Sequence, residues 1–214
     1  MINITNEDNM LLMARYPDNY FDLAIVDPPY GINATKKMGV NKKTGYNPKP
    51  WIGGDWDNAT PTKEYFDELF RVSKNQIIWG GNYFELPPTR CFYIWDKKQR
   101  IDQADCEMAW TSFKGSAIIY DYWSSKLIGF MNPNRFHPTE KPVDLYQWLL
   151  INNAKEGDKI VDTHLGSGSI AIAIDNVNKI EKMNLTLTAC ELDTDYFNAA
   201  IKRIKQQTAQ QTIF

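Results

Sequence analysis

Residues 159–174 read KIVDTHLGSGSIAIAI, and this stretch decides the fold prediction for the 214-residue chain. The run 159–162 indicates a short strand, the glycines of 166–169 indicate a tight loop, and the small apolar residues after them indicate a buried helix. A second strand, 185–190, follows and ends at Glu191. Open α/β sheets that bind adenosine-type cofactors present strand, glycine loop, helix, strand and acidic residue in this order.

The polar residues of this region suit an adenosine ligand whose charge is not carried by phosphates. Glu191 lies 23 residues after Gly168, a spacing at which a carboxylate reaches two ribose hydroxyls. Asp162 ends the first strand and is placed to take an ammonium group. Neither a Gly-x-Gly-x-x-Gly loop nor a Walker lysine is present, so phosphate ligands are less favoured. The candidate cofactor contacts in the loop, where glycine permits close backbone approach, are Gly166, Ser167, Gly168 and Ser169.

A second motif follows an apolar run at 22–26 that predicts a buried strand. The candidate catalytic residues there are Asp27, Pro28, Pro29 and Tyr30. The two prolines have fixed φ angles and no N–H groups, so the turn is stiff and its carbonyls remain acceptors. A carboxylate, a free carbonyl and a flat ring together suit a planar substrate that carries an amino group. The alternative is a strand-to-loop turn with an aromatic plug.

A third segment, residues 137–142, reads HPTEKP and precedes a predicted helix. A helix start offers free N–H groups and a partial positive charge, which suit a carboxylate. Thr139 and Lys141 add a hydroxyl and a cation at the same place. We interpret both as candidate contacts for a cofactor carboxylate.

Strand and helix patterns alternate along the chain, which favours an α/β fold with a largely parallel sheet. Thr60 and Pro61 are expected to open a helix, as N-cap and first helical residue. Residues 31–60 lack periodicity and are expected to form a functional loop over the site. Residues 106–112 and 117–122 are expected to form strands of an antiparallel edge. We divide a single domain, 1–214, into a catalytic half (1–112), a small recognition or edge insert (113–136) and a cofactor-binding half (137–206).

Composition limits the class of protein. Apolar residues make up 43% of the chain and charged residues 23%, which is ordinary for a globular protein. No apolar run approaches a membrane span, and the first residues do not resemble a secretory signal. The odd, scattered cysteines are expected to be reduced residues of a cytoplasmic protein. With two histidines and no Cys-x-x-Cys pair, a metal site is not expected.

The net charge of −2 argues mildly against a protein that coats nucleic acid, but local basic clusters still provide a footprint. One cluster lies in the loop after Tyr30, where a tryptophan is also present, and the second lies near residue 97. A solvated loop is the alternative for both. The candidate DNA contacts are Lys36, Lys37, Lys42, Lys43, Trp51, Lys97 and Lys98.

Together these motifs resemble the DNA amino-methyltransferases that use S-adenosylmethionine, in the β-type order with the catalytic motif before the cofactor motif. The resemblance covers nearly the whole chain. It implies a single Rossmann-like methyltransferase domain with circularly permuted motif order and a mostly parallel, seven-stranded sheet with an antiparallel edge. The chain departs from the family in two ways: Thr163 and His164 replace the usual Pro-Phe, and there is no room for a separate target-recognition domain outside 31–60 or 113–136.

The resemblance also implies roles for particular residues. Residues 27–30 match the catalytic motif, 162–169 the cofactor loop and 137–142 the tenth motif. Glu191 corresponds to the ribose-binding acid and Asp8 to the acid near the cofactor adenine, with Asp27 between cofactor and substrate. Residues 79–84 are similar to the segment that lines the target-base pocket.

The implied reaction is transfer of a methyl group from S-adenosylmethionine to the exocyclic N6 of an adenine flipped out of duplex DNA. Asp27 as the first motif residue favours adenine, because many cytosine-N4 enzymes have serine there. Cytosine-N4 methylation of DNA and adenine methylation of RNA remain alternatives, as does a binding module without catalysis. A nicotinamide dehydrogenase would leave residues 27–30 unexplained. A homodimer and a role in restriction-modification are further expectations.

Overall fold

The computed structural model describes residues 1–33, 56–98, 104–122 and 136–209. The first half contains β1 (Ile2–Asn6), α1 (Asn9–Ala14), β2 (Phe21–Val26), α2 (Lys63–Val72), β3 (Ser73–Trp79), a 3₁₀ turn (Gly81–Tyr83), β4 (Phe92–Asp96), β5 (Cys106–Thr111) and β6 (Ile118–Asp121). The second half contains α3 (Val143–Asn153), β7 (Lys159–Asp162), α4 (Ser169–Ile180), β8 (Thr186–Glu191) and α5 (Thr194–Ala209).

The described strands form one mixed sheet in the order β1-β8-β7-β2-β3-β5-β4-β6. Strands β1, β8, β7, β2 and β3 are parallel, and β5 is antiparallel to both of its neighbours. The two halves of the chain meet where β2 pairs with β7, with Leu23 opposite Ile160. Strand order reverses between these two strands, and the crevice outside their carboxyl ends is where open α/β sheets bind ligands.

The edge of the sheet differs from the prediction. Seven strands were expected, and the described residues contain eight. The strand predicted at 117–122 is β6, which pairs in parallel with β4 rather than antiparallel, with Tyr93 opposite Ile118. The reason is the connection between β5 and β6. Because β5 ends beside the first residues of β4, a short connection brings the chain to the start of β4, and β6 then runs in the same direction as β4.

The start of α2 also differs from the prediction. Its N-cap is Thr62 and its first residue is Lys63, so Thr60 and Pro61 precede the helix. Proline biases the residue before it toward extended backbone, which agrees with a connecting segment there. The described ends of the predicted 31–60 loop are joined at Asp57, whose carboxylate accepts from the Gly31 N–H at 2.8 Å. Residues 34–55 of that loop and 123–135 of the predicted insert lie outside the described residues.

Helices cover both faces of the sheet. Leu12 of α1 and Leu69 of α2 are fully buried on one face, and Leu145 and Leu149 of α3 are fully buried on the other. Helix α4 is buried along its first turns, at residues 169–174, because α3 and α5 both pack against it. These first turns are almost wholly apolar, as is expected of helical residues in a protein interior. No helix in the described part of the chain is long and apolar enough to cross a membrane.

Candidate active site at the carboxyl edge of the sheet

A cavity of about 360 Å³ lies outside the carboxyl ends of β1, β8, β7 and β2. Four loops that follow these strands contribute to its walls, together with the segment before α3. The walls include predicted residues from all three motifs, so the structure brings together parts of the chain that are far apart in sequence. The predicted residues that line the cavity are Asp8, Asp27, Pro29, Thr139, Lys141, Gly166, Ser167 and Glu191.

The glycine loop connects β7 to α4 in a conformation that requires glycine. Gly166 and Gly168 have φ angles of +53° and +76°, in the left-handed region that side chains disfavour. A Cβ atom on Gly168 would also lie 2.8 Å from Cδ1 of Ile204. Gly168 therefore permits α5 to pack closely, while Gly166 faces the cavity. The prediction that both glycines serve the ligand is supported by position only for Gly166.

Glu191 is anchored by the backbone on both sides. Its Oε2 accepts from the Gly166 N–H at 2.8 Å, and its Oε1 accepts from the Asp193 N–H at 3.0 Å. Burial raises the pKa of Glu191 above its usual value, against these hydrogen bonds. Each carboxylate oxygen has a second lone pair, so the group retains the capacity to accept from two hydroxyls.

Asp8 and Asn9 bring the end of β1 to the cavity. Asp8 is the N-cap of α1, and its Oδ1 accepts from the Met10 N–H at 2.8 Å. The Asn9 side-chain amide donates to Nε2 of His164 at 3.1 Å. The loop after β1 is therefore joined directly to the loop after β7.

His164, at the position where the family usually has phenylalanine, lines the cavity as a neutral ring. Its Nδ1 lies 3.0 Å from Oγ1 of Thr163, which in turn lies 2.7 Å from the Tyr65 hydroxyl. The His164 ring also packs edge-on against Tyr65, with centroids 5.3 Å apart. Burial lowers the pKa of His164 to about 4. These contacts agree with a histidine that fills the place of an aromatic residue.

Asp27 is held from two directions. The Tyr30 hydroxyl donates to its Oδ1 at 2.6 Å, and the Lys141 ammonium donates to its Oδ2 in a close ion pair. Burial raises the pKa of Asp27, while the charge of Lys141 opposes that shift. Burial lowers the pKa of Lys141, but the carboxylates of Asp27 and Glu107 raise it above its ordinary value.

The ring of Tyr30 lies between Gly80 and Tyr83. It stacks on Tyr83 with centroids 4.9 Å apart and an interplanar angle of 12°. On the Gly80 side, a Cβ atom would lie 2.5 Å from Cδ1 of the ring. Tyr83 is 45% exposed. The predicted base-pocket segment therefore contacts the catalytic motif directly.

Glu107 was not identified from the sequence. It lies on β5, and its carboxylate is 3.1 Å from Lys141 Nζ and 2.7 Å from Lys97 Nζ. Burial raises the pKa of Glu107, but these two cations outweigh that effect and lower it to about 2. A charged residue within the strand 106–111, next to apolar ones, was the available signal.

Several predicted residues lie outside the cavity wall. Pro28 is buried, and Tyr30 reaches the site through Asp27. Asp162 is buried, its Oδ1 accepts from the His164 N–H at 3.0 Å, and burial raises its pKa to about 8. Ser169 donates from its hydroxyl to the Lys141 carbonyl at 2.8 Å.

The predicted DNA contacts are only partly described. Lys97 is 14% exposed and paired with Glu107. Lys98 forms ion pairs with Asp96 at 3.3 Å and with Asp121 at 2.8 Å. Both cations are therefore engaged within the protein. The remaining candidates lie outside the described residues: Lys36, Lys37, Lys42, Lys43 and Trp51.

Comparisons with known proteins agree with this geometry. The N6/N4 methyltransferase family model, described as DNA methylase, matches residues 93–202, about half of the chain. The chain is 22% identical over 153 residues to the Type II methyltransferase M2.DpnII of Streptococcus pneumoniae, covering 71% of this chain and 50% of that protein. It is 23% identical over 119 residues to the Type II methyltransferase M2.MboI of Moraxella bovis, and this match covers 55% of this chain and 38% of that protein. The chain thus spans half or less of the length of these curated relatives.

Solved structures show the same fold. The complex of M1.HpyAVI with S-adenosylmethionine has a TM-score of 0.56 and 16% identity, covering 95% of this chain and 99% of that chain. PvuII DNA methyltransferase, described as cytosine-N4-specific, has a TM-score of 0.58 and 12% identity, and the match covers 98% of this chain and 92% of that chain.

Proposed function

Since this chain belongs to the DNA methylase family, we propose that it transfers the methyl group of S-adenosylmethionine to the exocyclic N6 of adenine in duplex DNA. The observation that carries the proposal is the shared cavity, whose walls contain both Asp27 and Glu191. One residue belongs to the motif expected to receive an amine, and the other to the motif expected to hold a ribose.

The residues around the cavity fit the cofactor. A volume of about 360 Å³ is within the range of small-molecule sites. Gly166 presents no side chain to the cavity, and the two anchored oxygens of Glu191 suit the ribose hydroxyls. Asp8 would face the adenine, with Thr139 near the carboxylate of the methionine part. When bound, S-adenosylmethionine supplies a methyl group activated by a sulfonium centre.

Asp27 is the residue that acts on the substrate amine. The amine lone pair of adenine is delocalised into the ring, so the nitrogen is a poor nucleophile. Hydrogen bonds from its two N–H groups to Asp27 and the Pro28 carbonyl would favour a localised lone pair, and the carboxylate would stabilise positive charge as it develops. Positioning of the amine in line with the methyl group supplies the rest of the acceleration, and the proton that the amine loses on methylation would leave by way of the Asp27 carboxylate.

A base inside a duplex is out of reach of this cavity, so we propose that the target base is flipped out of the helix. Tyr30 is the aromatic surface on which it would stack once Tyr83, which covers one face of the Tyr30 ring here, moves aside. Because the Tyr30 hydroxyl donates to Asp27, a base stacked on the Tyr30 ring would have its exocyclic amine beside the Asp27 carboxylate.

Cytosine-N4 methylation is the second candidate function. The likeness to a structure described as cytosine-N4-specific favours it, because the same fold serves that reaction. The aspartate that opens residues 27–30 favours adenine. We therefore place adenine first.

We further propose a role in DNA restriction-modification in the cytoplasm, with a homodimer as the assembly. The description of M2.DpnII as a Type II methyltransferase supports the first part. Cys91 and Cys190 are free and buried, and Cys106 is free and exposed, which is consistent with a reducing compartment.

The decisive experiment is methyl transfer in vitro. Purified protein is incubated with labelled S-adenosylmethionine and unmethylated plasmid DNA or RNA of matched sequence, and the digested nucleosides are identified by mass spectrometry. We expect N6-methyladenine from DNA. N4-methylcytosine would indicate the second candidate function, cytosine-N4 methylation. Label found only in RNA would indicate that the substrate is RNA rather than DNA. Absence of label from both nucleic acids would contradict it.

A further inference from the structure

Four charged side chains of alternating sign run from the catalytic turn to the far side of β5. Lys141 lies between the carboxylates of Asp27 and Glu107, and Lys97 lies on the other side of Glu107. The Lys141 side chain is 1% exposed, whereas that of Glu107 is 21% exposed. The lysine is thus enclosed with two alternative anionic partners.

This arrangement conflicts with the proposed reaction. Asp27 must face the positive sulfonium centre and an amine that gains positive charge. The ammonium of Lys141 already occupies one oxygen of Asp27 and repels both of these cations. The lysine therefore has to weaken its contact with Asp27 when the site fills.

The surroundings of Lys141 provide an alternative position. Its Nζ is already 3.1 Å from Glu107, and it lies 5.2 Å from the centre of the Trp79 ring, a distance at which a cation is attracted to the aromatic face. The flexible lysine stem permits such a shift by small rotations. Glu107 itself is fixed on a paired strand, opposite Trp95, and is held by Lys97.

We propose that Lys141 shifts from Asp27 toward Glu107 when a cation enters the cavity, and that Glu107 is the positioning residue that makes this shift possible. The inference rests on the proposed function, because it assumes a sulfonium cofactor. It adds a residue from β5, outside the catalytic and cofactor motifs, to the determinants of the reaction.

The test compares two ligands that differ in charge at one atom. Calorimetry measures the dissociation constants of S-adenosylmethionine, a sulfonium cation, and S-adenosylhomocysteine, the neutral thioether. In Glu107→Gln, Lys141 stays on Asp27 and opposes the sulfonium cation. The ratio of the dissociation constant of S-adenosylmethionine to that of S-adenosylhomocysteine should therefore rise about fivefold. Glu107→Asp keeps the carboxylate, so its ratio of dissociation constants should lie between those of the wild type and Glu107→Gln. Glu181→Gln, which removes an exposed carboxylate at the end of α4, is the matched control and should keep the wild-type ratio.

A double-mutant cycle separates this mechanism from direct attraction between Glu107 and the ligand. If Glu107 acts through Lys141, then Glu107→Gln should not change the ratio in a Lys141→Met background. An unchanged ratio in Glu107→Gln, or a full effect that persists with Lys141→Met, would overturn the inference while leaving the proposed function intact. Failure of the unaltered protein to bind either ligand would overturn the proposed function and this inference together.

Discussion

Replacement of Gly80 by alanine tests the placement of the Tyr30 ring. A Cβ atom at residue 80 would lie 2.5 Å from Cδ1 and 2.7 Å from Cζ of Tyr30, and closer still to Cε1. Ordinary contacts begin near 3.4 Å, so the ring must move by about 1 Å. A displacement of that size in a residue that positions the substrate costs about 10²-fold in rate. We expect kcat for DNA methylation to fall by about this factor.

The same substitution also has a backbone cost, which a second glycine isolates. Gly80 has a φ angle of +70°, where alanine is less stable than glycine by about 1–2 kcal/mol. Gly157 has a φ angle of +82°, and a Cβ atom there would have nothing within 4 Å. Gly157→Ala therefore reproduces the backbone cost without the contact with Tyr30.

The assay combines thermal unfolding with steady-state methyl transfer. Both variants should unfold several degrees below wild type, because 1 kcal/mol corresponds to about 2–4 °C in a chain of this size. Only Gly80→Ala should lose kcat, and its affinity for S-adenosylmethionine should remain close to wild type. Equal activity of the two variants would refute the assignment of Tyr30 to the reacting site.

Three further changes test individual carboxylates. Asp27→Asn should lower single-turnover methyl transfer by about 10²–10³-fold, because the amide cannot stabilise positive charge; a rate within tenfold of wild type would contradict the assignment. Glu191→Gln should weaken S-adenosylmethionine binding about tenfold or more in calorimetry, since one anchored charged acceptor is lost, and an unchanged affinity would exclude the ribose role. Burial raises the pKa of Asp162 to about 8, so the folded chain retains a proton that the unfolded chain releases. Stability should therefore fall as pH rises between about 4 and about 8, and Asp162→Asn should flatten that slope in urea unfolding; an unaltered slope would contradict the shift.

Patterns confined to one segment of the chain predicted much of the fold. Local sequence predicted three consecutive segments that the structure contains: the strand that ends at Asp162, the glycine loop after it and the helix at 169–180. The meeting of β2 and β7 followed from the handedness and order of α/β sheets rather than from any single residue. The direction of β6 depended on a connection that short-range patterns do not encode.

The site could be predicted only in part because partners come from distant segments. Lys141 was assigned to a cofactor carboxylate, and the structure pairs it with Asp27 and Glu107. That pairing depends on the position of β5 next to β3, which a single strand sequence does not reveal. Gly168 illustrates the same point, since its main neighbour is Ile204 of a helix that begins far along the chain.

The pairing of β1 with β8 affects how the protein is made. Among the described strands, β1 has β8 as its hydrogen-bonded neighbour, and Ile2 lies opposite Leu187. During synthesis β1 therefore gains this partner only after β8 (Thr186–Glu191) has left the ribosome. Sheets assembled from such distant segments fold slowly and leave strand edges open to aggregation meanwhile. Nascent chains that stop before residue 186 should accordingly depend on chaperones for solubility.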